Sequence, residues 1–274
     1  FLGARGARNF DLVVDLRDGG HHSGNWGGLL ANPGVILAHA ITSFVSSRGR
    51  IKIPEWLPEP MKNSTRSLLA DITVDAGENA PEIDPGWGDP YLGPAQQVYG
   101  WNSFDILAFK TGNPENPVNA IPPNARAHCQ IRFIQGSKPD EFFPALRRHL
   151  DANGFSVVAI EPPPPGNTGH FEASRTETDD PWAIWATAAI ERTSGIKTTV
   201  IPQLGGSICN EIFTDTLGLA SLWIPHSYAA CSQHAPNEHI LLSEARDAIA
   251  IMAGVYWDLG EGNTPDVGVS TRAR

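Results

Sequence analysis

Asn9-Phe10-Asp11-Leu12-Val13-Val14-Asp15-Leu16-Arg17 sets Phe10, Leu12, Val14 and Leu16 on one side of the chain and Asp11, Val13, Asp15 and Arg17 on the other. A two-residue period with one apolar exception is the pattern of a half-buried strand. Downstream comes a glycine-rich turn, Gly19-Gly20-His21-His22-Ser23-Gly24, and then Asn32-Pro33 opens a run containing Val35, Ile36, Ala38, Ile41 and Val45. Asn32 as N-cap with Pro33 at the first helical position predicts a helix start, and Gly49 predicts its end. Further strands are predicted over residues 103–110, 125–134 and 155–160, with a helix over 140–152 carrying Phe143, Leu146 and Leu150. The order strand, helix, strand, strand, helix, strand predicts an α+β unit, a four-stranded sheet with two helices on one face.

Residues 51–97 are rich in Pro, Gly and acidic side chains, with a short helical pattern at 61–70, and read as an inserted segment. Glu161-Pro162-Pro163-Pro164-Pro165-Gly166 can continue neither helix nor sheet, because four prolines remove donors and fix φ. It is the expected boundary between a first unit, 1–161, and a second, 168–274. The second unit predicts helices at 181–193 and 241–257, a helix start at Gly205-Gly206-Ser207, and short strands at 198–201 and 219–224. That alternation is part of an α/β layer, and two strands do not make a stable sheet unaided, so this unit is expected to need strands from elsewhere.

The chain has 274 residues, 41% hydrophobic and 18% charged, which suits one or two ordinary cores. A formal net charge of -10 argues against a nucleic-acid surface, since phosphate binding needs clustered Lys and Arg. No apolar run approaches the roughly 18 residues of a membrane span. Cys129, Cys209 and Cys231 are odd in number and lack a C-x-x-C spacing, so neither a disulfide framework nor a thiolate zinc cluster is indicated, and a reducing, cytoplasmic setting is expected. The sequence opens on Phe1 with neither an initiator Met nor a leader pattern, and a start inside a longer gene is expected.

Four places carry residues suited to chemistry. His234-Ala235-Pro236-Asn237-Glu238 follows an apolar stretch and a polar loop, where α/β layers hold ligands and metals; a lone loop histidine is more often a plain surface residue, and a catalytic zinc takes about three protein ligands. Gly20-His21-His22-Ser23-Gly24 brings a histidine to a turn where it can donate to a developing oxyanion, or is an ordinary turn. Asn119-Ala120-Ile121-Pro122 leads into the strand of Arg132, and Asn119 can contact a substrate carboxylate or serve the local turn. Gly205-Gly206-Ser207-Ile208 can bind an anion at a helix start, or simply cap it.

Taken in order, these pieces resemble the M20 family of metallopeptidases and deacylases, with Arg5-Gly6 ahead of the first strand and Arg132 after Asn119-x-Ile121-Pro122. The resemblance implies a zinc-dependent catalytic domain interrupted by a lid, or dimerisation, domain, so that 1–161 corresponds to the lid and 168–274 to the closing part of an α/β zinc-hydrolase domain. It implies hydrolysis of an amide in a small peptide or N-acyl amino acid, with two divalent ions, zinc foremost and cobalt or manganese as alternatives. In that mechanism a metal-bound hydroxide attacks the carbonyl. His234 is similar to the family's last metal ligand, and the other ligands fall in a region this sequence does not contain. His22 resembles the lid histidine that stabilises the tetrahedral intermediate across a homodimer, with His21 as the one-residue alternative. Asn119 and Arg5 resemble substrate contacts, and Gly206 and Ser207 the loop that cradles the substrate carboxylate. Gln203 stands where an Arg often precedes that loop, which weakens the implied dipeptide preference. The alternative reading is a non-catalytic dimerisation module derived from such a lid. Neither reading implies a nucleic-acid or membrane partner.

Overall fold

The computed structural model describes residues 1–74, 81–163, 169–228, 230–262 and 264–265. The elements run β1 (Gly3–Ala4), β2 (Gly6–Asp15), β3 (His21–His22), α1 (Ser23–Trp26), α2 (Pro33–Phe44), α3 (Asn63–Ala70), α4 (Pro94–Gly100), β4 (Ser103–Thr111), β5 (Ala120–Ile121), β6 (Asn124–Phe133), α5 (Phe142–Ala152), β7 (Ala159–Glu161), β8 (His170–Phe171), β9 (Ser174–Arg175), α6 (Pro181–Ser194) and α7 (Leu242–Gly260).

The alternation at 9–17 becomes the centre of the main sheet. Its strand order is β4-β6-β2-β7, and β8 pairs with β2 as well, so the sheet has five strands where four were predicted. β2 and β6 run antiparallel from Gly6 opposite Phe133 to Asp15 opposite Asn124. Phe10, Leu12 and Val14 therefore share a face with Cys129, Ala127 and Ala125, and that face is buried in one cluster with Leu37, Ile41 and Phe44 of α2 and Phe142, Leu146 and Leu150 of α5. Each fully buried Val, Leu or Phe side chain among them contributes roughly 1.5–3 kcal/mol by leaving water. Trp56, from a 3-10 turn at Pro54–Trp56, is completely buried in the same cluster and donates its indole N–H to the Phe142 carbonyl at 2.8 Å.

α2 starts as predicted, with the Asn32 carboxamide oxygen accepting from the Gly34 and Val35 amides at 3.0 and 3.3 Å. It ends at Phe44, earlier than Gly49, because Val45 turns extended and bridges Ile51. Gly49, at φ 74°, serves the turn of that small hairpin instead. Residues 155–158 stay in turns, with Phe155 donating to the Leu150 carbonyl and Val158 to that of Phe155, so β7 is shorter than the predicted strand.

The opposite face of the sheet is polar. Asp11 is buried there between His128, whose Nδ1 lies 2.5 Å from Oδ1, and Arg126, which also reaches Glu161 at 2.8 Å.

Beyond the proline run, where residues 164–168 lie outside the described set, α6 and α7 form close to the predicted ranges and pack together, with Ala183, Ala186, Ala189, Ala248 and Val255 buried and Arg192 paired with Asp258 at 2.6 Å. The strands predicted at 198–201 and 219–224 do not form. These stretches make isolated bonds to the chain's first residues, Leu2 N–H to the Ile201 carbonyl at 2.9 Å and a mutual pair between Trp223 and Phe1, each N–H group donating to the other's carbonyl at 2.8 Å, and no longer ladder is present for them to join among the described residues. The helix predicted from Gly205 is also absent, and the first helical turns after it are a five-residue π-helical stretch at Ile212–Thr216. β1 pairs with β9, which ties the first residues to this second part of the chain. At the crossing from β1 to β2, Gly6 lies flat against the Phe133 ring, where an added Cβ would sit 2.2 Å from a ring carbon. Among the described residues no helix is long and apolar enough to cross a membrane.

Candidate functional site

A cleft of about 1150 Å³ opens where the end of β6, the loop at 204–208, α4 and the loop at 222–238 meet. The 204–208 loop is held from below by the first residues. Leu204 bridges Ala4 in parallel and donates to the Gly3 carbonyl at 2.7 Å, while the Arg5 amide reaches the carbonyls of Leu204 and Gly206. The Arg5 side chain donates through Nε to the Gly205 carbonyl at 2.8 Å. Buried Gln203 donates to the carbonyls of Ala4 and Ser174 at 3.2 and 3.3 Å, so it fastens β1 to β9.

From β6, Arg132 extends into the cleft and donates to the Ser207 hydroxyl at 3.0 Å. Burial, and then the neighbouring Arg132 charge, push Arg5 down to about 10, against the opposing pull of Asp105 and Tyr99. Arg5 is still a cation at neutral pH, so two guanidinium groups sit close together beside a hydroxyl. A guanidinium carries five donors in a planar fork that matches a carboxylate. The arrangement is therefore suited to an anion, and its donors are side chains instead of the helix N-terminus expected at Gly205.

The opposite wall carries His234. Its loop is closed by Cys231 N–H to the Tyr228 carbonyl, Ala235 N–H to that of Ser232 and His239 N–H to that of Cys231. Ser232, His234 and Asn237 all take positive φ, 58°, 59° and 64°. That left-handed backbone is costly for side-chain-bearing residues. The His234 side chain is exposed and lines the cleft, and its amide donates to the Glu238 carboxylate at 3.3 Å. Tyr228 and His239 are joined at 2.8 Å, and His239 Nδ1 lies 2.8 Å from the Asn237 carbonyl. A carbonyl only accepts, so Nδ1 carries the proton and Nε2 accepts from the tyrosine hydroxyl.

Among the described residues no group of three His, Cys, Asp or Glu side chains is placed to hold a metal ion. A catalytic metal takes about three protein ligands. One imidazole on an exposed loop does not meet that need, and the described residues alone do not fit a complete metal centre.

His22 and Asn119 come together elsewhere. β3 and β5 pair His22 with Ala120, and the amide and hydroxyl of Ser23 both donate to the Asn119 carbonyl, at 2.9 and 3.2 Å. His22 caps α1, its Nδ1 accepting from the Gly24 amide at 3.1 Å, which leaves Nε2 as the donor nitrogen. The His21 ring lies edge-on to Trp26 at 6.3 Å. Neither His22 nor Asn119 is among the described residues that line the cleft. The site residues thus fall into two groups. Gly206, Ser207 and His234 line the cleft with Arg5 behind the loop, and His22 and Asn119 sit on a separate hairpin. Arg132, Glu238 and the Tyr228–His239 pair were not singled out as site residues from sequence. Arg132 left a trace as part of the motif beginning at Asn119, and Glu238 as the end of the motif beginning at His234.

A family model described as peptidase dimerisation domain matches residues 2–157. The Beta-Ala-His dipeptidase of Rattus norvegicus is 23% identical over 87% of this chain and 49% of its own length. The Cys-Gly metallodipeptidase of Saccharomyces cerevisiae is 22% identical over 92% of this chain and 53% of its own length. The chain spans about half the length, or less, of the curated relatives it matches. Among solved structures, an M20 family metallo-carboxypeptidase from Sulfolobus solfataricus superposes with a TM-score of 0.75 at 21% identity, over 92% of this chain and 58% of that one. Human carnosine dipeptidase 1 superposes with a TM-score of 0.72 at 20% identity, over 95% of this chain and 56% of that one. These likenesses show a mixed α/β fold of the M20 type. With the dimerisation-domain match covering more than half of its length, the chain belongs to the M20 metallopeptidase family.

Proposed function

We propose that this chain is the lid and substrate-carboxylate half of a metal-dependent hydrolase that cleaves an amide in a small peptide or N-acyl amino acid. The observation that carries the reading is the convergence of Arg132 and Ser207, backed by Arg5 and the Gly205–Gly206 loop, on the cleft that His234 also lines. The carboxylate of the substrate sits against the Arg132 fork and the Ser207 hydroxyl, which orients the scissile amide toward His234. His234 serves as one ligand of a pair of divalent ions, zinc foremost, whose remaining ligands come from residues beyond those described. Residues 1–161, with an insertion at about 51–97, form the lid, and 168–274 the closing part of the catalytic domain.

His22 donates from Nε2 to the oxyanion, and Asn119 contacts the substrate, both in the site of a second copy. Their separation from this chain's own cleft supports that reading, as does the exposed edge of the sheet. β4 is the edge strand, and it leaves Ile106, Leu107 and Phe109 44%, 53% and 43% exposed. An exposed apolar edge is a surface for pairing with another strand. A cytoplasmic location fits three cysteines that are all free.

The test is metal analysis and dipeptide hydrolysis by the full gene product. Bound divalent metal and turnover are expected, with His234→Ala losing metal and turnover together. A full-length protein that is metal-free and inactive overturns the enzyme reading in favour of a dimerisation module, which the single main core, built almost wholly from residues 10–160, would support.

A further inference from the structure

The carboxylate end of the cleft has a second wall that neither the motifs nor the comparisons assign. α4 comes from the segment between α2 and β4, and it projects Val98 and Tyr99 into the cleft. Val98 abuts the carboxylate loop: a Cβ added to Gly205 would lie 3.6 Å from its Cγ2. Tyr99 stands next to Arg5 and tilts against the Phe1 ring at 6.2 Å. Burial pushes the Tyr99 phenol up, against the pull of Arg5, so it is a neutral wall at physiological pH. Leu204 and Ile208 complete an apolar lining around the same loop. The polar groups at this end are Arg132, Ser207, Gln130 and the loop backbone, with Arg5 behind the loop, and Val98, Leu204, Ile208 and the Tyr99 ring wall the space beside them.

We infer that Val98 and Tyr99 form a side-chain pocket selecting substrates whose carboxylate-bearing residue is large and apolar, such as leucine or phenylalanine. This inference rests on the carboxylate reading of Arg132 and Ser207, and it adds the specificity that reading lacks. A substrate held by its carboxylate at Arg132 must put the side chain of that residue close to the loop, where Val98 and Tyr99 stand. An apolar side chain leaves water there, whereas a charged one loses its hydration against Val98 and Tyr99 and meets only Arg5, whose Nε is engaged by the Gly205 carbonyl.

Binding to this chain tests the idea without requiring turnover. The probes are N-acetylglycine, N-acetyl-leucine, N-acetyl-phenylalanine and N-acetyl-aspartate, titrated by calorimetry or by chemical-shift perturbation. N-acetyl-leucine and N-acetyl-phenylalanine are expected to bind at least about tenfold more tightly than N-acetylglycine, and more tightly than N-acetyl-aspartate. Tyr99→Ala should remove most of the advantage of phenylalanine over glycine, and Tyr99→Phe should keep it, because the ring and not the hydroxyl forms the wall. An unchanged unfolding midpoint in both variants rules out loss of the fold as the cause. Arg132→Gln should weaken all four probes alike. Equal affinity for all four, weakened alike by Arg132→Gln, overturns the apolar pocket and leaves the carboxylate reading standing. Affinities that follow side-chain size but ignore Arg132→Gln overturn the carboxylate reading, and the inference as stated falls with it. Absence of binding by every probe overturns both.

Discussion

At the scale of single residues, Asp11 shows how far a pattern can be read. Alternation puts it on the polar side of β2, yet its side chain is buried beneath Arg126 and His128. Nothing in a two-residue period reveals which groups on the neighbouring strand will cover an aspartate, because that depends on register. Asp11→Ala strands those two partners, and with Arg126 half exposed the expected loss is about 2 kcal/mol, read as a lower urea midpoint. The cysteines make a second case. Cys209 is exposed while Cys129 and Cys231 are buried, so a thiol reagent should label one cysteine of the native chain and three after unfolding. Burial pushes the Cys129 thiol up from 9.0 to about 12. Between those values an unfolded thiol sheds its proton while the native one keeps it, so stability falls as pH rises above about 9. Urea titrations from about pH 8 to about pH 10 should show that fall, and Cys129→Ala should flatten it. Of the site itself, His234 and the Gly206–Ser207 loop were legible, because glycines and a histidine in loops stand out. Val98 and Tyr99 were not, because they reach the cleft only through tertiary packing.

Elements whose start is written into local chemistry were the easiest to read. Asn32-Pro33 and Asp180-Pro181 both cap helices as side-chain acceptors with proline at the first position. Asn32→Ala is expected to cost about 1 kcal/mol of stability, measured by chemical denaturation. Strands at 198–201 and 219–224 were misjudged for the opposite reason. An apolar run is only half of a strand, and the other half is a neighbour with open hydrogen-bonding groups. Among the described residues these stretches find the first residues of the chain and scattered side chains such as Thr176 and Glu191, which offer isolated bonds and not a ladder. The main sheet gained a strand for the same reason: β8 lies past the proline run, in a stretch with no pattern of its own, and forms because β2 has a free length of edge beside Arg8 and Ala7.

For the molecule as a whole, the exposed β4 edge and the two groups of site residues point to assembly. Analytical ultracentrifugation of the chain should show a dimer, and Leu107→Lys should shift it to monomer without altering the circular dichroism of the sheet. A wild-type monomer at all concentrations tested would remove the two-copy arrangement of His22 and Asn119. The sequence carried local signals, the proline run and the periodicities on either side of it, yet β8 and β9 beyond that run pair with β2 and β1 before it. The sequence did not carry the way the first five residues leave the sheet to support the 204–208 loop, because Arg5 and Gln203 act through partners about 200 and 30 positions away. Gly6 marks the point where that departure happens, and the Phe133 ring fills the volume any side chain there would claim. A saturation library of this gene should accordingly be sharply restricted at codon 6, where even alanine has to displace an aromatic ring, so that the mildest change on paper loosens the bridge between the sheet and the loop it holds.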